Sequence, residues 1–215
     1  MALDRDRIVR AALDLLDEVG LEGLTLRALA GRLDVKAPAL YWHVASKSAL
    51  LDEMATTMLR DLLAGSPPPD DSTDWRQFIT MTSHGLHGMM LAHRDGARVF
   101  SGTFLTADDA VAASEIPMRI LTREGFSLRD AVGAWQTAYA FVVGFTIEEQ
   151  AVEPRAGQRD PRFDAGRRAD RLDPASTPLT HQASRLMFDD AAGRFAFGLE
   201  VILDGLAARL ARSTG

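Results

Sequence analysis

Tyr41, Trp42 and His43 stand side by side in the stretch LAGRLDVKAPALYWHVASKSALL, with Lys36 and Pro38 before them and Lys47 after. Neighbouring helix positions point in different directions, so no single buried face takes all three. Part of the trio faces outward. Aromatic rings, an imidazole and lysine ammoniums suit phosphate contacts, and Arg27, a little upstream, adds a guanidinium for phosphate or a guanine edge. The whole chain is acidic, with a formal net charge of −6, yet between residues 25 and 50 Arg27, Arg32, Lys36 and Lys47 are opposed only by Asp34. A basic island in an acidic protein argues for one localised nucleic-acid contact rather than general polyanion binding. The plainer alternatives are half-buried structural aromatics at Tyr41 and Trp42 and a solvated Lys47.

A second set that could do chemistry is His84 and His87, whose i, i+3 spacing puts both imidazoles on one helix face. With His93 or Glu148 they could hold a metal, or one of them could hydrogen-bond a ligand. No HExxH or carboxylate-bridged pattern accompanies them, no nucleophile stands with an acid/base partner, and no cofactor fingerprint occurs. The expectation is no catalytic residue, no metal and no cofactor. Cysteine is absent, which removes disulfides, thiolate nucleophiles and cysteine-based zinc sites. No apolar run reaches bilayer length, and the start MALDRDRIVRAALDLL mixes charges throughout, so the sequence reads as a cytoplasmic protein with no membrane partner.

Helices must position these residues. Residues 4–19 place Ile8, Ala11 or Ala12, Leu15 and Val19 on one stripe, with Gly20 as a stop. Thr25 caps a short second helix holding Leu26, Leu29, Ala30 and Leu33, and Asp34, tolerant of left-handed backbone, turns the chain with Val35. A third helix runs from about Lys36 through His43, with Pro38 in its first turn, and Ser46 caps a fourth through Leu50, Met54, Met58 and Leu62. The stiff polar breaker GSPPPDDSTD, residues 65–74, separates a unit at 1–64 from a second at 65–215. Helical patterning resumes at 75–93, 96–101, 107–124, 127–150, 179–189 and 192–212. Residues 153–178, rich in proline and charge, read as a mobile loop.

The fold class is therefore all-α: three short helices in a helix-turn-helix arrangement, joined by a long helix to a second helical unit. The helix at 127–150 carries two apolar stripes, and the helix at 192–212 adds Phe197 and Val201 beside a face of Phe195, Leu199, Ile202, Leu206 and Leu210. Too apolar for one covered face each, they point to a homodimer through an intermolecular four-helix bundle, the alternative being two central helices of a monomer.

The stretch GLTLRALAGRLDVKAPALYWHVASKSALLDEMA resembles the DNA-binding domain of the TetR family of transcriptional repressors. AHRDGARVFSGT, EGFSLRDA and FAFGLEVILDGL resemble segments of the ligand-binding domain in the family's tetracycline-responsive branch. The resemblance implies double-stranded operator DNA and a small-molecule inducer as partners. It implies DNA contacts by Thr25, Arg27, Lys36, Ala37, Pro38, Ala39, Tyr41, Trp42, His43 and Lys47. Pro38 and Ala39 suit a thymine methyl, whereas Ala37 replaces an amide able to read a base by paired hydrogen bonds. A different operator preference is expected. Lys36 replaces an acid and adds a cation for phosphate or guanine.

The same resemblance implies a ligand surrounded by Leu63, Thr82, Leu86, Phe100, Thr103, Phe104, Ile116, Trp135 and Glu148. Where tetracycline-binding members carry a histidine, an asparagine, a phenylalanine, an arginine, a glutamine and a metal-ligating histidine, this chain has Leu63, Thr82, Leu86, Phe104, Ile116 and Phe100. Only Glu148 keeps a group able to approach a metal-bound water. Hard divalent cations need oxygen or imidazole ligands, so the expected inducer is largely apolar or aromatic and not tetracycline–magnesium. HRDGARV is the hinge candidate. Two readings from other classes stand beside this one: a metal-dependent helical enzyme using His84, His87 and Glu148, and a helical binding module with a residual helix-turn-helix.

Overall fold

Asp4 opens the first helix of the computed structural model, which describes residues 3–70, 72–155 and 157–213, by accepting the Arg7 N–H. That helix, α1 (Arg5–Gly23), buries Ile8, Val9, Ala12, Leu13, Leu15 and Leu16. At Gly20, the expected stop, its helical backbone is broken by a kink, because φ there is 73° and ψ is 175°, a combination reserved for glycine, and one short turn follows. Helices α2 (Leu26–Arg32), α3 (Ala37–Tyr41) and α4 (Lys47–Gly65) follow, α2 capped by Thr25 and α4 by Ser46, as their sequences anticipate. Asp34 takes the left-handed conformation in the turn, at φ 54°. Leu24, Leu29, Leu40, Val44, Leu50 and Met54 close one small core over α1. The pairs Arg5–Glu53 and Arg10–Asp61 bind α1 to α4 along its outer edge.

The second body comprises α5 (Trp75–Leu91), α6 (Gly96–Phe100), α7 (Asp108–Ala112), α8 (Glu115–Arg123), α9 (Leu128–Val152), α10 (Ala165–Ala169), α11 (Pro178–Leu186) and α12 (Ala191–Ser213). The single helix expected over 107–124 is two. Pro117 lacks the N–H that would continue the hydrogen-bond ladder, and the Ser114 hydroxyl donates to the Val111 carbonyl at the break. Helix α9 packs against α5, α6, α8 and α12 around Phe78, Ile79, Met90, Leu121, Phe195 and Leu199. The segment 153–178 contains a 3-10 turn, Pro161–Phe163, and α10, each started by an aspartate cap, Asp160 and Asp164. Arg155 donates to the carbonyls of Asp17 and Glu18 in α1.

The two cores meet at α6. Val99 belongs to the first and its neighbour Phe100 to the second. Among the described residues there is no strand, only an isolated bridge between Arg155 and Gln158. No described helix is long and apolar enough to cross a membrane.

Candidate nucleic-acid interface and ligand cavity

The end of α3 presents its aromatics outward. Trp42 is 89% exposed and Tyr41 56%, while Leu40 and Val44, on either side, are buried. Half-buried structural roles do not fit such exposure, since a free indole in water gains nothing from packing. The cations sort into two groups. Arg32 is committed to Glu18, 2.7 Å from both carboxylate oxygens, and the Lys47 Nζ donates to the Leu21 carbonyl at 2.8 Å. Lys47 thus caps the end of α1, with one of its three donors spent. Arg27 and Lys36 are exposed and make no hydrogen bond or ion pair among the described residues. Thr25 spends one lone pair on the Ala28 N–H and keeps its hydroxyl proton available. Pro38 and the half-exposed Ala37, Ala39 and His43 complete the surface. It offers three unneutralised charges, Arg27, Lys36 and the carbonyl-bound Lys47, with two exposed rings and small apolar side chains, a set matched to phosphates and base edges.

Behind this unit lies a cavity of about 670 Å³ bounded by α4, α5, α6, α8 and α9. Leu63, Thr82, Leu86, Phe100, Thr103, Ile116 and Trp135 line it. Two aromatic pairs face it, Phe78 with Trp135 at 6.2 Å and Phe100 with Tyr139 at 6.3 Å between centroids. Tyr139 and Phe78 are residues that sequence reasoning missed; each stands four positions from an expected liner, Trp135 and Thr82, on the same helix face. The structure does not bring Phe104 and Glu148 to the wall. Residues 103–107 run extended between α6 and α7, so Thr103 and Leu105 point inward while Phe104, 73% exposed, points away. Glu148 lies on the outer face of α9.

The extended segment also touches α4. The Phe104 N–H donates to Asp52 Oδ1 and the Thr106 N–H to Thr56 Oγ1, both at 2.9 Å. Thr56 is buried, and its hydroxyl donates to the Asp52 carbonyl. At the cavity rim Asp109 of α7 takes three hydrogen bonds from Arg60 of α4, which hold its carboxyl below the usual range.

The histidines are engaged elsewhere. His87 Nε2 lies 2.5 Å from Glu149 Oε2 with its ring stacked on Phe195, and His84 meets the edge of the same ring. His93 pairs with Asp17 of α1 at 3.0 Å. Among the described residues no three His, Cys, Asp or Glu side chains gather as a metal site.

Comparison with known proteins identifies the arrangement. Residues 8–54 match the model for bacterial regulatory proteins of the tetR family, and residues 67–210 the model for the tetracyclin repressor-like C-terminal domain. The chain belongs to the TetR family. It is 43% identical to the class A tetracycline repressor protein from transposon 1721 of Escherichia coli, over 96% of this chain and 92% of that protein. A possible TetR family regulator from Streptomyces coelicolor A3(2) superposes with a TM-score of 0.82 at 36% identity, covering 95% of this chain and 99% of the other. ActR of Streptomyces coelicolor in complex with actinorhodin gives 0.81 at 28% identity, covering 98% and 99%. This TetR-family protein is accordingly a ligand-responsive transcriptional regulator. Family membership favours that function over the enzyme and binding-module readings.

Proposed function

We propose that this regulator is a cytoplasmic homodimeric repressor, released from a palindromic operator by a largely aromatic small molecule and not by tetracycline–magnesium. The carrying observation is the donor set of the cavity. Among the described residues its wall has no histidine, lysine or arginine, and the one carboxylate, Asp109, is taken by Arg60. Phe100 supplies a ring at the position where tetracycline-binding relatives are expected to hold the metal. Dimerisation is supported by the surface of α9 and α12, which lie together and expose Leu128, Val132, Phe197 and Val201. A bundle with a second copy would cover that face.

Release follows from the contacts of α6. A ligand that moves Phe100, Thr103 or Leu105 moves Val99 in the first core and the backbone donors held by Asp52 and Thr56. Helix α4 then carries the displacement to the DNA-facing unit, and the DNA-competent state loses population in proportion to the ligand's preference for the other state.

The test is footprinting on the DNA upstream of the gene across a salt series, with calorimetry of tetracycline and magnesium beside it. A protected palindrome whose affinity falls steeply with salt is expected. Absence of protection at low salt refutes the repressor reading, and submicromolar magnesium-dependent tetracycline binding refutes the inducer reading.

A further inference from the structure

The ligand class can be narrowed by asking where each hydroxyl proton on the cavity wall already goes; this rests on the reading of the cavity as the inducer site. Thr82 donates to the Phe78 carbonyl at 2.9 Å, and Thr103 donates to the Phe100 carbonyl at the same distance. Nearer the rim, Ser114 donates to the Val111 carbonyl at 2.7 Å. A hydroxyl has one proton and two lone pairs, so all three oxygens now face a ligand as acceptors only. Tyr139 is the complement. Its hydroxyl makes no hydrogen bond to a described residue, and half-burial raises its pKa, so it remains a protonated donor. Flat rings from Phe78, Trp135, Phe100 and Tyr139 bound the space between. Burying a ligand polar group without a partner is costly, so the wall selects by hydrogen-bond polarity as well as by shape.

We propose that the cavity takes an uncharged, metal-free, flat polycyclic aromatic bearing free hydroxyl donors for Thr82 and Thr103 and a carbonyl acceptor for the Tyr139 hydroxyl. A flat aromatic body can lie against the rings of the Phe78–Trp135 and Phe100–Tyr139 pairs, which line the cavity. Its phenol protons meet acceptors that have no proton left to give. A ligand carrying only ethers or carbonyls sets lone pair against lone pair at both threonines. Ionised ligands find no free counter-charge, because the rim carboxylate and its arginine neutralise each other.

The probe is 2,6-dihydroxyanthraquinone, whose hydroxyls lie too far from its carbonyls for internal hydrogen bonds, titrated by calorimetry into the full chain. The buffer is slightly acidic, so both phenols stay protonated, and contains a chelator. 2,6-Dimethoxyanthraquinone is the comparison, of the same ring system without donors. Saturable binding of the dihydroxy compound is expected, with the dimethoxy compound at least about tenfold weaker. Thr82→Val should weaken the dihydroxy compound by about tenfold and strengthen the dimethoxy compound, whose ether oxygen no longer meets a lone pair there, a split that mere loss of packing does not produce. Tyr139→Phe should weaken both, because both carry the carbonyl. No binding of the dihydroxy compound, equal binding of the two, or a requirement for added magnesium each overturns the proposal. Operator binding is measured separately on the free protein. Its retention alongside any of those results leaves the repressor reading intact, whereas its loss strikes that reading and not the cavity's hydrogen-bond polarity.

Discussion

Substituting Arg27 by alanine isolates the electrostatic part of DNA recognition. Each copy of the chain offers two exposed cations without partners on the DNA-facing surface, Arg27 and Lys36. Every phosphate neutralised contributes about −0.9 to the slope of log affinity against log salt concentration. The proposed dimer carries Arg27 twice, so Arg27→Ala should flatten that slope by about 1.8 if both copies meet phosphate. Arg32→Ala is the internal control. Its guanidinium lies 2.7 Å from both Glu18 oxygens and is neutralised before DNA arrives, so the slope should stay where it was. The assay is fluorescence anisotropy of a labelled operator over a range of potassium chloride. Base substitution then separates two targets for Arg27: a phosphate contact weakens all sequences alike, and a guanine contact costs about 1–3 kcal/mol at one position. For Arg27→Ala, an unchanged slope with no base-specific loss, or for Arg32→Ala an equal change, refutes the sorting of these cations.

Gly20→Ala should lower stability by about 1–3 kcal/mol, read as a fall in the thermal midpoint, because φ 73° with ψ 175° is open to glycine alone. The added carbon would also sit 2.9 Å from Arg94 Nε, so full stability would show that α1 does not kink there. Phe197→Asp, at a side chain 70% exposed in the single chain, should yield a monomer by light scattering with little change in thermal midpoint. A persistent dimer removes α12 from the interface. Thr56→Val deletes the acceptor of the Thr106 N–H without changing side-chain shape. Inducer affinity should hold while release from operator requires more ligand, by up to the typical coupling of about 1–3 kcal/mol. Unaltered release would mean that the extended segment does not drive α4.

The DNA-facing unit was legible because its signals are local. Thr25 and Ser46 are caps, Asp34 accepts a left-handed turn, and the apolar spacing of α1 and α4 names their buried faces. Most of the cavity wall was legible through the family resemblance, down to Thr103 and Trp135. Phe104 was misplaced because alternation along an extended segment turns consecutive side chains to opposite sides, and nothing in its type says which side. Lys47 hid its cap because the carbonyl it meets belongs to Leu21, on another helix. The same holds for Asp17 with His93 and Arg94, and for Arg155 with α1. These pairs lie far apart in the chain, where neither period nor cap gives a sign.

Those long-range contacts explain how one fold serves two equilibria. Val99 and Phe100 are consecutive, yet one is packed into the core beneath the DNA-facing helices and the other against the ligand cavity. Five residues of helix are too short to deform internally, so α6 transmits as a rigid piece. Just beyond it the chain is extended, with side chains 103 and 105 in the cavity and the N–H groups of 104 and 106 on α4. Just before it Asp95 accepts the Leu21 N–H beyond the kink in α1, and the buried Gln150 of α9 holds the Ala97 N–H and the His93 carbonyl. Helix α6 is thus fastened to α1, α4 and α9 at once. A ligand that shifts it must break or carry along hydrogen bonds to both halves of the molecule, and its differential affinity has to exceed what those bonds contribute. A cleft of about 440 Å³ lies beside this junction, walled by Asp17, His93, Arg94, Glu149 and Arg155, so the same residues that fasten α1 to the second body also meet solvent there.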